Sequence, residues 1–448
     1  VKFNIKNIFL GIEKSSIILC FINDIIFEFH LTILVFKYMY KSILAVLCLL
    51  NLLFSCTRVD ENFYAQDPDQ LDLIAKPLDS VLFDDEKGIV NINIMANANF
   101  FGFNYSKFLI DIAKENHSYC HPDVLYFPQG FNGYKYWMVF TPYFGAVGTH
   151  QNSKRFENPT VVVSNDGINW VSPVGLINPI MAAPFPQESI RENNRDPKQG
   201  FWSDVDWVYV NHKFHLYYRA SFISALSLKK KVEKNSENLK KLEVDAQRTI
   251  VQQTSSDGVN WSPISIAFTS NPPYAPSNNH VLSPSFIHNG NKFTSYEIEL
   301  NFGKRNFKGN DPSYVIRRNS IDGINFEHFK DSKIVNFLNK PWLKLNPAYS
   351  PWHIQATYVD GYYFLCIAIG DVKKYTSEAL YIAYSKDGLN YQVFPKAIIE
   401  NNAYRSSIFP MRTDEKNIQM GAMIANKSGE FRYKEFTLSK EKIDNCWK

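Results

Sequence analysis

Cysteine is scarce in this chain and nowhere paired. There are six in 448 residues, at positions 20, 48, 56, 120, 366 and 446, with no C-x-x-C and no metal-type spacing. That excludes a disulfide framework and a cysteine-built metal motif. None of the 20 glycines stands in G-x-G-x-x-G or G-x-x-x-x-G-K order, which removes dinucleotide fingerprints and phosphate loops. An excess of one charge is missing too: 48 basic against 44 acidic side chains leaves +4. Nothing in that balance points to nucleic acid as the main partner. Long apolar runs are also absent. The clearest, Ser42–Phe54, has 13 residues, where a spanning helix needs about 20 and a signal-peptide core about 7–15.

What is present at the start reads as targeting. From Met39 the chain runs "MYKSILAVLCLLNLLFSC": one lysine, the apolar run, then Ser55-Cys56. This resembles a bacterial lipoprotein signal, which implies cleavage before Cys56, lipidation of that cysteine and anchoring to the cell envelope, at the outer membrane. More than one acyl chain gives the stable anchoring that a single chain cannot. Residues 39–55 are then the signal peptide and 56–85 a polar tether. Residues 1–38, whose apolar stretch is broken by Asn23, Asp24, Glu28 and His30, read as an over-extended gene start.

The rest of the chain repeats itself. "SNDGINW" (164–170), "SSDGVNW" (255–261), "SIDGINF" (320–326) and "SKDGLNY" (385–391) each sit between two strand-like runs. Asp-Gly in that setting predicts a tight hairpin, because a primed turn needs positive φ and glycine supplies it. The aspartates 166, 257, 322 and 387 are 91, 65 and 65 apart. A charged, helix-prone or disordered insertion at 224–248 accounts for the longer first step. Its interleaved glutamates and lack of aromatics fit a solvated arm rather than a nucleic-acid surface. Each turn has two further strands upstream, so a unit holds four strands. A fifth unit, from "YRSSIFPM" (404–411) to "EFRYKEFTL" (430–438), stops one strand short. "GIVNINIMA" (88–96) has no local partner and can complete it, removing an open edge. The expected fold is all-β: a five-bladed propeller over residues 86–448, closed by an N-terminal strand.

In a propeller the first strand of each unit lines the central channel. These are "HPDVLYF", "SDVDWVYV", "SPSFIH", "WHIQATYV" and "YRSSIF". Residues two apart share a face, so His121 with Asp123, Asp204 with Asp206, Ser283 with Ser285, His353 with Gln355, and Arg405 with Ser407 are candidates to meet at one mouth. Trp202 stands beside them and could stack on a bound ligand. Cys120 reads as an inert buried thiol.

These inner-strand openings, together with the S-x-D-G-x-x-aromatic hairpins, resemble the propeller glycosidases of families 43, 32 and 68. The segment "HPDVLYFPQGFNGYKYWMVFTPY…ENPTVVVSNDGINW" is similar to a bacterial glycoside hydrolase-like subgroup, and the likeness covers roughly 115–440. It implies a carboxylate base or nucleophile on the first inner strand, a second carboxylate that tunes it, and a glutamate acid near the third. Asp204 matches the second. Where the pattern has aspartate before proline this chain has His121, with Asp123 two residues on. Where it has glutamate before proline this chain has Ser283. Glu297, Glu299 and Glu157 are the nearest replacements for the acid. The resemblance also implies a substrate contact for Arg405, matches His353 to a fourth-blade histidine associated with a bound metal ion, and leaves room for a channel calcium ion there.

The expected function is therefore a lipid-anchored, monomeric glycoside hydrolase acting on a poly- or oligosaccharide, with Asp123, Asp204 and Glu297 as carboxylates. His121, Trp202, Asp206, His353 and Arg405 would bind substrate, and no cofactor is required. A pair of carboxylates facing one bond is what glycosidic cleavage needs. The alternative is a non-catalytic glycan-binding lipoprotein, which the absent third-blade glutamate favours. A sialidase-like propeller ranks below both, because the aspartate box has one more residue between aspartate and glycine and no arginine triad is apparent.

Overall fold

The computed structural model describes residues 83–93, 119–142, 158–181, 201–221, 249–269, 281–300, 311–328, 331–374 and 376–446. All of them belong to one unit, Asp67–Lys448. The signal segment, Cys56, the tether up to residue 82, Glu157 and the insertion 224–248 lie outside the described residues.

The strands form five antiparallel sheets of four core strands. Blade one holds β3 (Tyr119–Phe131), β4 (Tyr134–Pro142), β5 (Thr160–Ser164) and β6 (Asn169–Val171). Blade two holds β7 (Phe201–Val210), β8 (Lys213–Ser221), β9 (Thr249–Ser255) and β10 (Ser265–Thr269). In blade three are β11 (Val281–His288), β12 (Phe293–Leu300), β13 (Ser313–Ser320) and β14 (Lys333–Ile334). Blade four has β16 (Ser350–Val359), β17 (Tyr362–Gly370), β18 (Ala379–Ser385) and β19 (Asn390–Val393). Blade five combines β20 (Ser407–Thr413), β21 (Asn417–Ala425) and β22 (Phe431–Ser439) with β1 (Phe83–Ile89). The inner strands touch in cyclic order, β3 to β7 to β11 to β16 to β20 and back to β3. That contact order closes a five-bladed propeller.

Closure uses an N-terminal strand, as the repeat count requires, but the pairing strand begins earlier than 88. Phe83 lies opposite Phe436 and Ile89 opposite Arg432, so the propeller takes in residues 83–85 that had been assigned to the tether. The alternating stretch beyond it divides: β2 (Asn91–Asn93) pairs in parallel with β6 of blade one. One N-terminal segment thus joins the last blade to the first. A similar short strand, β15 (Asn336–Phe337), runs parallel to β19. Both additions cover outer edges that would otherwise present unpaired backbone.

The core lies between blades rather than within them. Five apolar clusters each bridge two neighbours, for example Trp137, Val139 and Val161 of blade one with Trp202, Trp207 and Phe214 of blade two. Strands in the middle of a blade are buried on both faces, which is why "TVVVS" and "YYFLCIAI" read as continuous apolar runs.

The four Asp-Gly hairpins form, with a wider geometry than a tight primed turn. Such a turn needs two successive residues at positive φ, and here only glycine has it: +74° at Gly167, +75° at Gly258, +77° at Gly323 and +68° at Gly388. Side chains close the loop instead. Asp166 Oδ1 accepts from the amides of Ile168 and Asn169, Oδ2 accepts from Asn169 Nδ2, and Ser164 Oγ accepts from the Gly167 amide. The same set recurs at Asp257, Asp322 and Asp387. The glycine also seats an aromatic of the blade before it: a Cβ on Gly258 would stand 2.2 Å from the Trp137 ring. Tyr217 and Tyr296 donate their hydroxyls to the carbonyls of Gly323 and Gly388. These turns fasten blade to blade on the side of the sheet away from the mouth.

Burial works against charge at Asp166, but the amide and side chain of Asn169, with Ile168 and Ser164, hold its carboxyl at about 2; Asp257 is held at about 2 in the same way. A carboxyl depressed below its unfolded value of about 3.9 stabilises the fold above that pH and loses the contribution as pH falls toward 2. The midpoint of urea unfolding is expected to drop between pH 4 and pH 2, less steeply in Asp166→Asn. Equal slopes in the two proteins would show that the turns do not set acid stability.

Candidate active site

Each inner strand carries a β-bulge near its start in blades one to four. The register slips between Cys120 and Asp123, Ser203 and Asp206, Leu282 and Ser285, and Pro351 and His353. At three of them the extra residue sits in the left-handed region: His121 at φ 56°, Asp204 at φ 52° and Ser283 at φ 50°. Non-glycine residues adopt this conformation at a cost of order 1–3 kcal/mol, and such costs concentrate at functional sites. The bulges separate the two residues that the alternation places on one face, and so create two layers.

The deeper layer is a closed ring of hydrogen bonds. Asp123 Oδ2 accepts from the Trp207 amide at 2.9 Å, Asp206 Oδ1 from Phe286 at 2.7 Å, and Ser285 Oγ from Ala356 at 2.7 Å. Gln355 Oε1 accepts from the Ile408 amide at 3.0 Å, and Ser407 Oγ from Val124 at 3.3 Å. Every blade thereby holds the backbone of the next, and the fifth holds the first. Asp123 also accepts from Gln355 and Ser407 at 3.2 Å each. Asp206 accepts from Ser285 at 2.6 Å and pairs with Arg405 at 3.0 Å. Burial lifts both carboxyls, Asp123 to about 6, and Asp206 is raised further by the Asp123 charge.

The upper layer is different. His121, Asp204 and His353, from blades one, two and four, are all buried, and their ligand atoms lie within 4.8 Å of one another. His121 Nδ1 lies 2.8 Å from the Thr141 hydroxyl. Its Nε2 approaches Asp204 Oδ1 at 3.1 Å without meeting hydrogen-bond geometry. Asp204 Oδ2 accepts from Arg219 Nε at 2.7 Å and from the Ser283 amide at 3.1 Å. Both nitrogens of His353 are buried with no hydrogen-bond partner among the described residues. Tyr404 packs against His353 at 4.7 Å and against His121 at 5.7 Å between ring centroids.

Electrostatics sort these groups. Burial opposes the Asp204 charge, but Arg219, then the two imidazoles and Arg405, outweigh it and hold the carboxyl well below the ordinary range. Burial pushes His121 down to about 3 against the pull of Asp204, and drives His353 well below its ordinary value. Both shifts favour the neutral imidazole, the form that binds a metal.

The structure brings together His121, Asp204, His353 and Arg405, and places Asp123 and Asp206 one layer below. Glu297 is elsewhere, in a buried fork with Arg318 at 3.0 and 3.1 Å, with Ser295 donating to it. Glu299 is buried on the same strand. Trp202 is fully buried in the core between blades one and two, edge-on to Tyr218, and has no face to offer a sugar. Ser283, where a glycosidase would carry its acid, instead exchanges bonds with the backbone of Ile354, N–H to Oγ and Oγ–H to carbonyl, at 3.1 Å each. Cys120 is buried, its thiol 3.2 Å from Thr141 Oγ1. Sequence reasoning did not find Arg219 or Thr141. The signal for each is the register, which sets Arg219 opposite Ser203 and Thr141 opposite Cys120.

No protein-family model matches the chain. The A type blood N-acetyl-alpha-D-galactosamine deacetylase of Flavonifractor plautii is 26% identical over 297 residues, 63% of this chain and 35% of that protein. The chain thus spans about a third of the length of that curated relative. A crystal structure of an N-acetylgalactosamine deacetylase from F. plautii, in complex with blood group B trisaccharide, aligns with a TM-score of 0.50 at 18% identity, covering 83% of this chain and 96% of that one. An alpha-L-arabinanase from Penicillium chrysogenum, complexed with arabinobiose, gives a TM-score of 0.43 at 12% identity over 71% of this chain and 76% of its own. The chain is a five-bladed β-propeller, a fold it shares with the deacetylase structure.

Proposed function

We propose that the protein is a carbohydrate-active enzyme whose mouth is built for metal-assisted removal of an acyl group from a sugar, with an N-acetylated amino sugar as the substrate class. The observation that carries this reading is the convergence of His121, Asp204 and His353 with imidazole nitrogens left without partners. Buried polar atoms are almost always satisfied, and a metal ion is what two neutral imidazoles and one carboxylate would satisfy. Two nitrogen donors suit zinc or another transition metal better than calcium, which prefers an all-oxygen shell. Bound there, such an ion supplies Lewis acidity toward an acyl carbonyl and acidity to a water. The name of the curated relative, a deacetylase acting on an N-acetylated sugar, supports the same chemistry.

The chain's own groups have assignable parts. Thr141 accepting from His121 Nδ1–H would leave Nε2 with its lone pair toward Asp204 Oδ1. Arg405 is fixed to Ile354, Pro284 and Asp206, and its remaining donor, Nη1, has no partner among the described residues; it is suited to a substrate oxygen. Water adds to the acyl carbon, the C–N bond breaks, the amine takes a proton and acetate departs.

Glycosidic cleavage is the competing reading, supported by the architecture and by the ionised Asp204. It is weakened because, among the described residues, no glutamate reaches Asp204 and Ser283 holds the acid's place. Anchoring at the bacterial envelope through Cys56 is likewise a proposal, supported by the 39–56 segment; the mass of the mature protein tests it.

The deciding experiment follows acetate and reducing sugar together on a panel of N-acetylated glycans. Acetate release that a chelator stops and zinc restores is the expected result. Reducing sugar without acetate would overturn deacetylation in favour of a glycosidase, and binding without either product would leave a lectin-like propeller.

A further inference from the structure

Asp204 has two oxygens in unlike surroundings. Oδ2 is saturated by Arg219 Nε at 2.7 Å and the Ser283 amide at 3.1 Å, whereas Oδ1 faces His121 and has no hydrogen bond among the described residues. Arg219 stands at the end of β8, opposite Ser203, whose hydroxyl lies 3.4 Å from its Nη2. Its side chain is 12% exposed while that of Asp204 is 1% exposed, so the guanidinium reaches in from the rim to a carboxylate that water does not touch. A carboxylate with both oxygens free can grip an ion with one or two of them. With one oxygen already committed, only the other remains.

We infer that Arg219 is a positioning residue: it occupies Asp204 Oδ2 so that the carboxylate offers the metal a single oxygen, Oδ1, and one coordination position stays open for substrate. The inference rests on the metal reading above. It also has an electrostatic side. The guanidinium neutralises the one anionic ligand before a dication enters, so the charge of the dication is left to act on the acyl oxygen. Catalytic sites with three protein ligands and an open position work on this principle, and partners of ligands commonly change metal affinity 10–100-fold when removed.

The test uses the full chain and zinc alone, without substrate. Isothermal titration with Zn²⁺ is compared for the unaltered protein, Arg219→Gln and Arg219→Lys, and visible spectra are recorded with Co²⁺ in place of zinc. Arg219→Gln is expected to change zinc affinity at least tenfold and to shift the cobalt spectrum from the intense bands of a four-coordinate ion toward the weak bands of higher coordination. Arg219→Lys, which can still place one charged N–H on Oδ2, is expected to keep the original spectrum. Unchanged affinity and spectrum in Arg219→Gln would overturn the role of Arg219 while leaving the metal reading intact. No zinc binding by the unaltered protein would instead bring down the metal reading, and this inference with it. Should Arg219→Gln not fold, a crystal structure of the zinc-loaded protein decides: Asp204 with both oxygens on the metal, or Arg219 swung away, overturns the inference.

Discussion

Asp204→Asn is expected to lower acetate release by about 10³-fold or more, equivalent to a loss of about 4 kcal/mol of transition-state stabilisation. The substitution keeps the shape of the side chain and removes its charge. It also turns one of the two carboxylate oxygens into an amide that cannot accept from Arg219 or ligate. Because Arg219 and the Ser283 amide both depend on Oδ2, stability should fall as well. His353→Gln separates the two effects. Among the described residues the nitrogens of His353 make no hydrogen bond, so replacing them forfeits none there, and stability should fall less than in Asp204→Asn. Its activity should fall as far as that of Asp204→Asn. Retention of more than a tenth of the turnover by either variant would mean that the triad does not carry the reaction.

Glu297→Gln is expected to do the reverse: to cost about 3–5 kcal/mol of stability and leave turnover of the folded protein unchanged. Glu297 and Arg318 are each 1% exposed and face each other through both carboxylate oxygens, while the Arg318 guanidinium also lies over the Phe268 ring of the neighbouring blade. Removing one charge from a buried pair strands the other, and that stranded charge is what makes such changes expensive. Thermal melting and acetate release on the same preparation test the expectation. A loss of turnover at unchanged melting temperature would return Glu297 to the reaction as the acid that its resemblance suggested.

Much of the fold was legible because propeller blades repeat. The strands expected upstream of the four Asp-Gly turns are present, the second of each blade at 134–142, 213–221, 293–300 and 362–370, since apolar alternation and Asp-Gly punctuation are local signals. The candidate site was half legible. His121, Asp204, His353 and Arg405 stood out as polar residues opening apolar strands. Which of them would meet could not be read, because the bulges at His121, Asp204 and Ser283 break the two-residue period on which the pairing rested. Alternation put Asp123 beside His121, and the bulge sends it down to bond with Trp207. Trp202 was misplaced for a related reason: its position two residues before Asp204 in sequence says nothing of the blade interface into which its ring turns. Arg219 was invisible since its partner lies 15 residues away on another strand, a contact that only the register defines.

The clasp in blade five also has a temporal meaning. Phe83 pairs with Phe436, a separation of 436 − 83 = 353 residues. A ribosome delivers chain at roughly 5–20 residues per second, N-terminal part first, so β1 emerges long before the strand it must join. Through that interval the first four blades can stack on one another, but the ring of side chains reaching from each blade to the next has a missing link on either side of blade five. His121 belongs to the first blade and His353 to the fourth, and the channel that sets them facing is not circular until β20 arrives. The protein is thus expected to gain its ligand set at the last step of synthesis rather than by increments, and a chain stalled before residue 407 would carry every residue of the triad without the closed ring that holds it in place.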